Sequence, residues 1–362
     1  MSMEANSKPS QLSDEQRTER KQFLRKRVRE MNRTYAKPDF WKSSWQLINI
    51  LGLYTALMYG AYQSWHAQQY LLMAVFVLIN SFCLNRIFVI FHDVMHGSFF
   101  KRKTTANIWG TLLSLLVYQP AHHWQYEHAN HHATASDLSK RGIGDMPMLT
   151  VKEYSERNFL GRLAYRVLRW PPFYFGIHGV YKQLIKPRWV AKKGWPKRVS
   201  YSVWFTNVAL VVIGLGFWAA GFSDLFLIHA LCFAIGTPNL LILFYVSHHF
   251  ETTVWRQPDD WDFIDSALNG TSILLYPPVF DWFTAGIGYH VQHHLLPRVP
   301  NYNLRKCWKE NPDVYSKAFV IEYFDILKTT RLRLWDEASE LYVGREGYRM
   351  ARELTQPSPL AS

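Results

Sequence analysis

Cysteine is scarce in this chain. The three present, Cys83, Cys232 and Cys307, lie far apart. That excludes a CxxC metal site, a thiol redox pair and a disulfide framework. Acidic residues are also few: 28 against 41 lysines and arginines, a formal net charge of +13. No nucleic-acid-binding motif accompanies this charge, so nucleic acid is not the expected partner. The first 40 residues are polar and basic, with no apolar stretch ahead of a small-residue cleavage site. Membrane insertion is therefore expected to rely on internal segments. No internal repeat or low-complexity segment is present.

The chain has 362 residues, 48% of them hydrophobic and 16% aromatic. The mean hydropathy of −0.16 hides a segregation of apolar blocks from charged ones. One apolar block runs over 45–91 and a second over 201–246. A bilayer crossing takes about 20 apolar residues, so each block holds two crossings and a turn. The turns fall at AYQSWHAQQ and AAGFSD, and neither carries a lysine or arginine. The basic segments flank the blocks, which places the head, the middle segment 101–200 and the C-terminal part in the cytoplasm. The expected fold is an all-α integral membrane protein with four transmembrane helices and a cytosolic helical cap. Both termini face the cytoplasm. The expected divisions are a basic N-terminal segment 1–43, a main domain 44–340 and a C-terminal tail 341–362.

Shorter signals fill in the rest. Ser13–Gln16 and Thr150–Glu153 have capping-box spacing and predict helix starts. The basic helix after Ser13 lies either on a membrane surface or free in solvent. Ile108–Gln119 is too short to span, and the aromatic run Trp170–Phe175 reads as interfacial.

Histidine is the abundant oddity, with 15 copies. Three clusters stand out: His92/His96, His128/His131/His132 and His290/His293/His294. Residues at i and i+4, or i and i+3, share one helical face, so His92 and His96 can aim at one metal. In HxxHH the i+3 and i+4 positions straddle a wider angle, so one cluster can serve two neighbouring metals. All three clusters fall at the cytoplasmic membrane face by the topology above. Eight imidazoles exceed a four-ligand structural zinc site and suit two metals with about four ligands each. Imidazole accepts zinc, copper, iron or nickel, so ligand type alone leaves the metal open. His92-Asp93-Val94-Met95-His96 differs from the HExxH protease motif by its shorter Asp93, which is poorly placed as a general base. His248, at the end of the fourth crossing, is the ninth candidate, with His249 as its alternative. His122 and His123 are weaker candidates beside the second cluster; His66, His178 and His229 read as exposed or packing residues.

The order HDVMH, HANHH, GYHVQHH resembles the membrane fatty acid desaturases, with their HxxxH, HxxHH and HxxHH boxes. The resemblance runs over 45–340 and includes FHDVMHGSFF, WQYEHANHHATASD, DSALNGTS and HHLLPRVPNYNLR. It is nearest to the bacterial and cyanobacterial acyl-lipid branch with delta-12 (omega-6) enzymes. The head has no HPGG motif of a fused cytochrome b5 domain. The resemblance implies that His92, His96, His128, His131, His132, His290, His293 and His294 bind two irons, joined by His248 or His249. It implies no catalytic side chain apart from the ligands and no organic cofactor. O2 is the co-substrate, and two electrons come from a separate ferredoxin or cytochrome b5. The substrate is an acyl-lipid or acyl-CoA, and the product carries a cis double bond. The site is a bacterial inner membrane, with the endoplasmic reticulum left open. Stearoyl-type relatives carry an Asn four residues before the ninth histidine; Phe244 or Tyr245 stands there in this chain, which leaves that water-holding role unassigned. Outer carboxylates are sought among Asp93, Glu127, Asp137, Asp145, Glu251 and Asp281. The acyl tunnel is expected to take its walls from the four crossings and LLSLLVY. A fatty acid hydroxylase on the same scaffold is the nearest rival; a membrane metal transporter or haem carrier is a distant one.

Overall fold

The computed structural model describes residues 13–189 and 194–355. Residues 1–12 of the basic head and 356–362 of the tail lie outside them. Helix α1 (Asp14–Tyr35) opens on a complete capping box, with the Ser13 hydroxyl accepting from the Gln16 N–H and the Gln16 side chain accepting from the Ser13 N–H. It docks on the C-terminal part of the chain. Met31 and Tyr35 are buried, Arg27 donates to Asp313 at 2.7 Å and to Asn311 at 2.8 Å, and the Tyr35 hydroxyl donates to Glu310 at 2.7 Å. The partners sit more than 270 positions away in sequence, so no local pattern announces them.

Helices α2 (Phe40–His66) and α3 (Tyr70–His96) form the first hairpin, turning within the expected AYQSWHAQQ. Helices α4 (Lys103–Leu116) and α5 (Ala121–Thr134) follow. Strand β1 (Leu149–Thr150) leads into α6 (Val151–Ser155), which opens on the second predicted capping box, and then α7 (Phe159–Leu168). A wide-turned helical stretch over 172–185 contains α8 (His178–Val180). The aromatic run is divided there: Trp170 is exposed, whereas Tyr174 and Phe175 are buried against Tyr245. Helices α9 (Lys197–Ala219) and α10 (Ser223–His248) make the second hairpin, turning within AAGFSD.

Among the described residues, α3, α9 and α10 are long and apolar enough to cross a membrane. Helix α2 has 27 residues, but Lys42, Gln46, Asn49 and Gln63 dilute its apolarity. Helix α9 turns Trp204, Phe205, Val208, Val211, Val212 and Leu215 outward, as a lipid-facing helix does. The two hairpin turns meet: Trp65 Nε1 donates to Asp224 at 3.2 Å, and His66 lies 3.5 Å from the same carboxylate. Both turns therefore share one end of the molecule, opposite the histidines that close α3 and α10.

The last third contains α11 (Phe263–Asn269), β2 (Ser272–Leu275), α12 (Pro278–Phe283), α13 (His290–Leu295), α14 (Asn301–Glu310), α15 (Pro312–Tyr315), β3 (Phe319–Glu322), α16 (Ile326–Thr329), β4 (Leu334–Asp336), β5 (Leu341–Val343) and α17 (Glu346–Glu353). The cap is thus not purely helical. Strands β1 and β4 pair in parallel, β4 and β5 antiparallel, and β2 and β3 in parallel. Runs of two to four residues are too short for a period-two signal. The segment set off as a tail begins as β5, and α17 packs on α6 and β4 through Ala351.

Met31 tests how firmly α1 is docked. Met31→Ala should destabilise the protein by about 2–5 kcal/mol, while the exposed Phe23→Ala on the same helix should change it by no more than about 0.5 kcal/mol. Thermal unfolding in detergent reads both; equal effects would mean that α1 is not docked.

Candidate metal centre

The last turn of α3 carries His92 and His96 one helical turn apart. Gly97 then ends the helix in the left-handed conformation, φ 69°, which glycine adopts without a side-chain penalty. Helix α5 supplies His128, His131 and His132; α13 supplies His290, His293 and His294; α10 ends on His248. These nine side chains converge in two sets. The first is His92, His96, His128, His132 and His293; the second is His131, His248, His290 and His294. Within each set one nitrogen per residue lies within 4.8 Å of all the others. The division follows helical geometry. Each i,i+4 pair (92/96, 128/132, 290/294) stays in one set, and the i+3 residue, His131 or His293, crosses to the other. The sets adjoin, with the rings of His132 and His294 stacked at 4.0 Å.

The nitrogen contacts show what the sets fit. His293 Nε2 lies 3.0 Å from both His92 Nε2 and His132 Nε2, and His132 Nε2 lies 3.0 Å from His128 Nε2. A neutral ring nitrogen is either one donor or one acceptor. Such a chain of four atoms can therefore make two hydrogen bonds, not three. His248 Nε2 likewise faces His131 Nε2 at 3.1 Å and His290 Nε2 at 2.9 Å. His96 Nε2 and His294 Nε2 are buried with no hydrogen-bond partner. Converging lone pairs of this kind are relieved by a cation. An all-imidazole donor set suits zinc, copper, iron or nickel.

Two of the six candidate carboxylates reach the histidines. Asp145 Oδ1 accepts from His131 Nδ1 at 2.6 Å, and Asp93 Oδ1 lies 3.1 Å from His92 Nδ1. Each bond protonates Nδ1 and leaves the Nε2 lone pair facing the cluster. Asp93 also accepts from the Asn301 N–H at 2.8 Å, tying α3 to the start of α14. Gly144 makes the Asp145 contact possible: its φ is +78°, and a Cβ there would stand 2.5 Å from the Glu127 carbonyl oxygen. Glu127 pairs instead with Lys186 at 3.1 Å. Among the described residues, no hydrogen bond joins Asp137, Glu251 or Asp281 to a cluster histidine.

His249 turns away from both sets. Its ring stacks on Tyr245 at 4.4 Å, and Nδ1 donates to the Tyr245 carbonyl at 3.2 Å. His122 bonds Gln125 and His123 faces Glu127, also outside the sets. Sequence reading missed Trp124, whose ring stacks on His128 at 4.4 Å; its i−4 position from His128 was the available signal. With His248 as the ninth member, the position four before it is Phe244, whose ring lies 5.2 Å from that imidazole.

A cleft of about 120 Å³ opens onto both sets. His92, His128 and His290 line it with Phe88, Val89, Leu240, Leu241, Leu243 and Ile287. Of the long helices only α3 and α10 contribute, and none of LLSLLVY does. Lys182 adds a polar wall; burial pushes its amine down to about 8, and it donates to the Asp145 carbonyl at 3.1 Å.

The family model described as fatty acid desaturase matches residues 69–325. A protein named fatty acid desaturase from Bacillus subtilis is 36% identical over 85% of this chain and 87% of its own. Two Synechocystis proteins are each 26% identical. One, named sn-1 oleoyl-lipid 12-desaturase, aligns over 65% of this chain and 68% of its own. The other, named sn-1 acyl-lipid omega-3 desaturase (ferredoxin), aligns over 64% and 65%.

Burial, and then the neighbouring imidazoles, hold His128, His132, His290, His293 and His294 well below the ordinary histidine range. The unfolded chain binds protons below about pH 6.5, where these folded sites refuse them, so stability must fall as pH falls. The metal-free protein should therefore unfold at lower temperature at about pH 5.5 than at about pH 7.5. An unchanged unfolding temperature would mean that these rings are not held neutral.

Proposed function

The chain belongs to the fatty acid desaturase family, and from that membership we propose that it is an O2-dependent oxidoreductase that introduces a cis double bond into a membrane acyl chain at a di-iron centre. The convergence of nine imidazoles into adjoining sets of five and four carries this reading. His92, His96, His128, His132 and His293 would hold one iron; His131, His248, His290 and His294 would hold the other. Iron supplies the redox capacity that removing hydrogen from unactivated methylenes requires, which zinc lacks.

The protein's own part follows from its geometry. The apolar cleft walls hold the chain against His92, His128 and His290, where both sets border the cavity, and they exclude bulk water. Asp93 and Asp145 fix the tautomers of His92 and His131. The net reaction takes an acyl –CH2–CH2–, O2, two electrons and two protons to –CH=CH– and two waters. The electrons come from a separate ferredoxin or cytochrome b5; one relative's name specifies ferredoxin. The basic face would steer an acidic donor or bind anionic lipid headgroups. The substrate is an acyl-lipid or acyl-CoA. The two cyanobacterial relatives named for different positions are equally similar, so a delta-12 (omega-6) outcome rests on the motif resemblance. The topology that accompanies this reading has four crossings, α2 included, with both termini cytoplasmic in a bacterial inner membrane. The desaturase domain spans 44–340.

Expression in a bacterial or yeast host, followed by gas chromatography–mass spectrometry of total fatty acids, should reveal a new unsaturated acid that His293→Ala abolishes. A hydroxylated product would overturn the reaction type. Asp145→Asn should weaken metal binding by roughly 10–100-fold, read as metal retained on dialysis against buffered metal; undiminished retention would remove Asp145 from the orienting role.

A further inference from the structure

A second, smaller cavity borders the four-histidine set and shares Met146 and Phe244 with the acyl cleft. His131, His248, Asp145, Ser136, His249 and Trp255 are among its walls, and its free space is about that of one water molecule. Two of these residues carry buried ring nitrogens without a partner, His249 Nε2 and Trp255 Nε1. Their chemistry is complementary. His249 Nδ1 faces a carbonyl at 3.2 Å, which only accepts, so Nδ1 holds the proton and Nε2 is left as an acceptor. The Trp255 indole N–H can only donate. A water molecule donates to the first and accepts from the second. Each residue is more than nine-tenths buried, where a polar group left without a partner is costly.

Trp255 has a further position. It also lines a large open cleft between the basic flank of α1, with Arg20, Lys21 and Arg25, and the acidic loop at Asp259 and Asp262. One indole therefore separates the small cavity from the outside. We propose that the cavity is a water site and that Trp255 is the partition through which protons enter and product water leaves the centre. The assignment of a use rests on the desaturase reading, in which each turnover consumes two protons and forms two waters. With the acyl chain filling the main cleft during turnover, both need a separate passage. The small cavity borders His131, Asp145 and His248 directly.

The test needs no bound metal. The full-length, metal-free protein in detergent is exposed to radiolytic hydroxyl radicals, which label side chains beside bound water. His249 should be oxidised several-fold faster than His229, which is hydrogen-bonded to Tyr54 inside the helix bundle. A rate at or below that of His229 overturns the water site. On rapid mixing into H2 18O, the label at His249 should acquire 18O slowly in the native protein and several-fold faster in Trp255→Ala. Equal rates overturn the partition. Trp255→Phe, which keeps the bulk and loses the N–H, should lower His249 labelling and guards against misfolding of the alanine variant. Metal content after iron loading of the same preparation is read separately. Protein that binds no iron would sink the catalytic reading and the passage role with it, while the labelling still decides the water site.

Discussion

Nine imidazoles with ring nitrogens turned toward one another form an arrangement that opposes itself. Without a cation the nitrogens at 2.9–3.1 Å cannot all be hydrogen-bonded, and burial resists protonation of His128, His132, His290, His293 and His294. The surrounding structure supplies the restraint. The α2–α3 and α9–α10 hairpins fix where α3 and α10 end, and the cap folds α5 and α13 over those ends. Asp93 and Asp145 bond the outward nitrogens so that the inward ones stay free. The cost of such a site is met by the packing around it and recovered on ion binding.

The angular step of the α-helix turns three short motifs into two adjoining sets. Four residues advance the helix by a little more than one turn and three by a little less, so HxxHH points two histidines one way and one the other. Because His131 and His293 cross between sets, a small rotation of α5 or α13 must disturb both sets together. This makes the close approach at Gly144, which anchors Asp145 against α5, more consequential than its distance along the chain from the boxes suggests.

Much of this was legible in the residues. The hairpin turns, both capping boxes and the grouping of nine histidines follow from hydropathy, capping chemistry and helical spacing, all of which act over a few residues. What escaped the reading depends on distant partners. Arg27 gives no sign that it will meet Asp313, nor Tyr35 that it will meet Glu310. Strands of two to four residues carry no periodicity. The choice of His248 over His249 turns on the Tyr245 carbonyl capturing the second ring, a contact that spacing allows but does not require. LLSLLVY is apolar as a tunnel wall would be, but the cleft is lined by Gln119 just after it and by none of its own residues.

The docking of α1 bears on how the chain is made. Synthesis runs from the amino end, so α1 leaves the ribosome before any part of the surface it covers. Asn311 and Asp313 follow only after roughly 280 more residues, which at ~5–20 residues per second is an interval of tens of seconds. The basic helix must wait through synthesis of both hairpins, and its closure over α14 and α15 is then among the last events of folding. An unclosed α1 therefore marks a molecule whose carboxyl-terminal cap is unfinished.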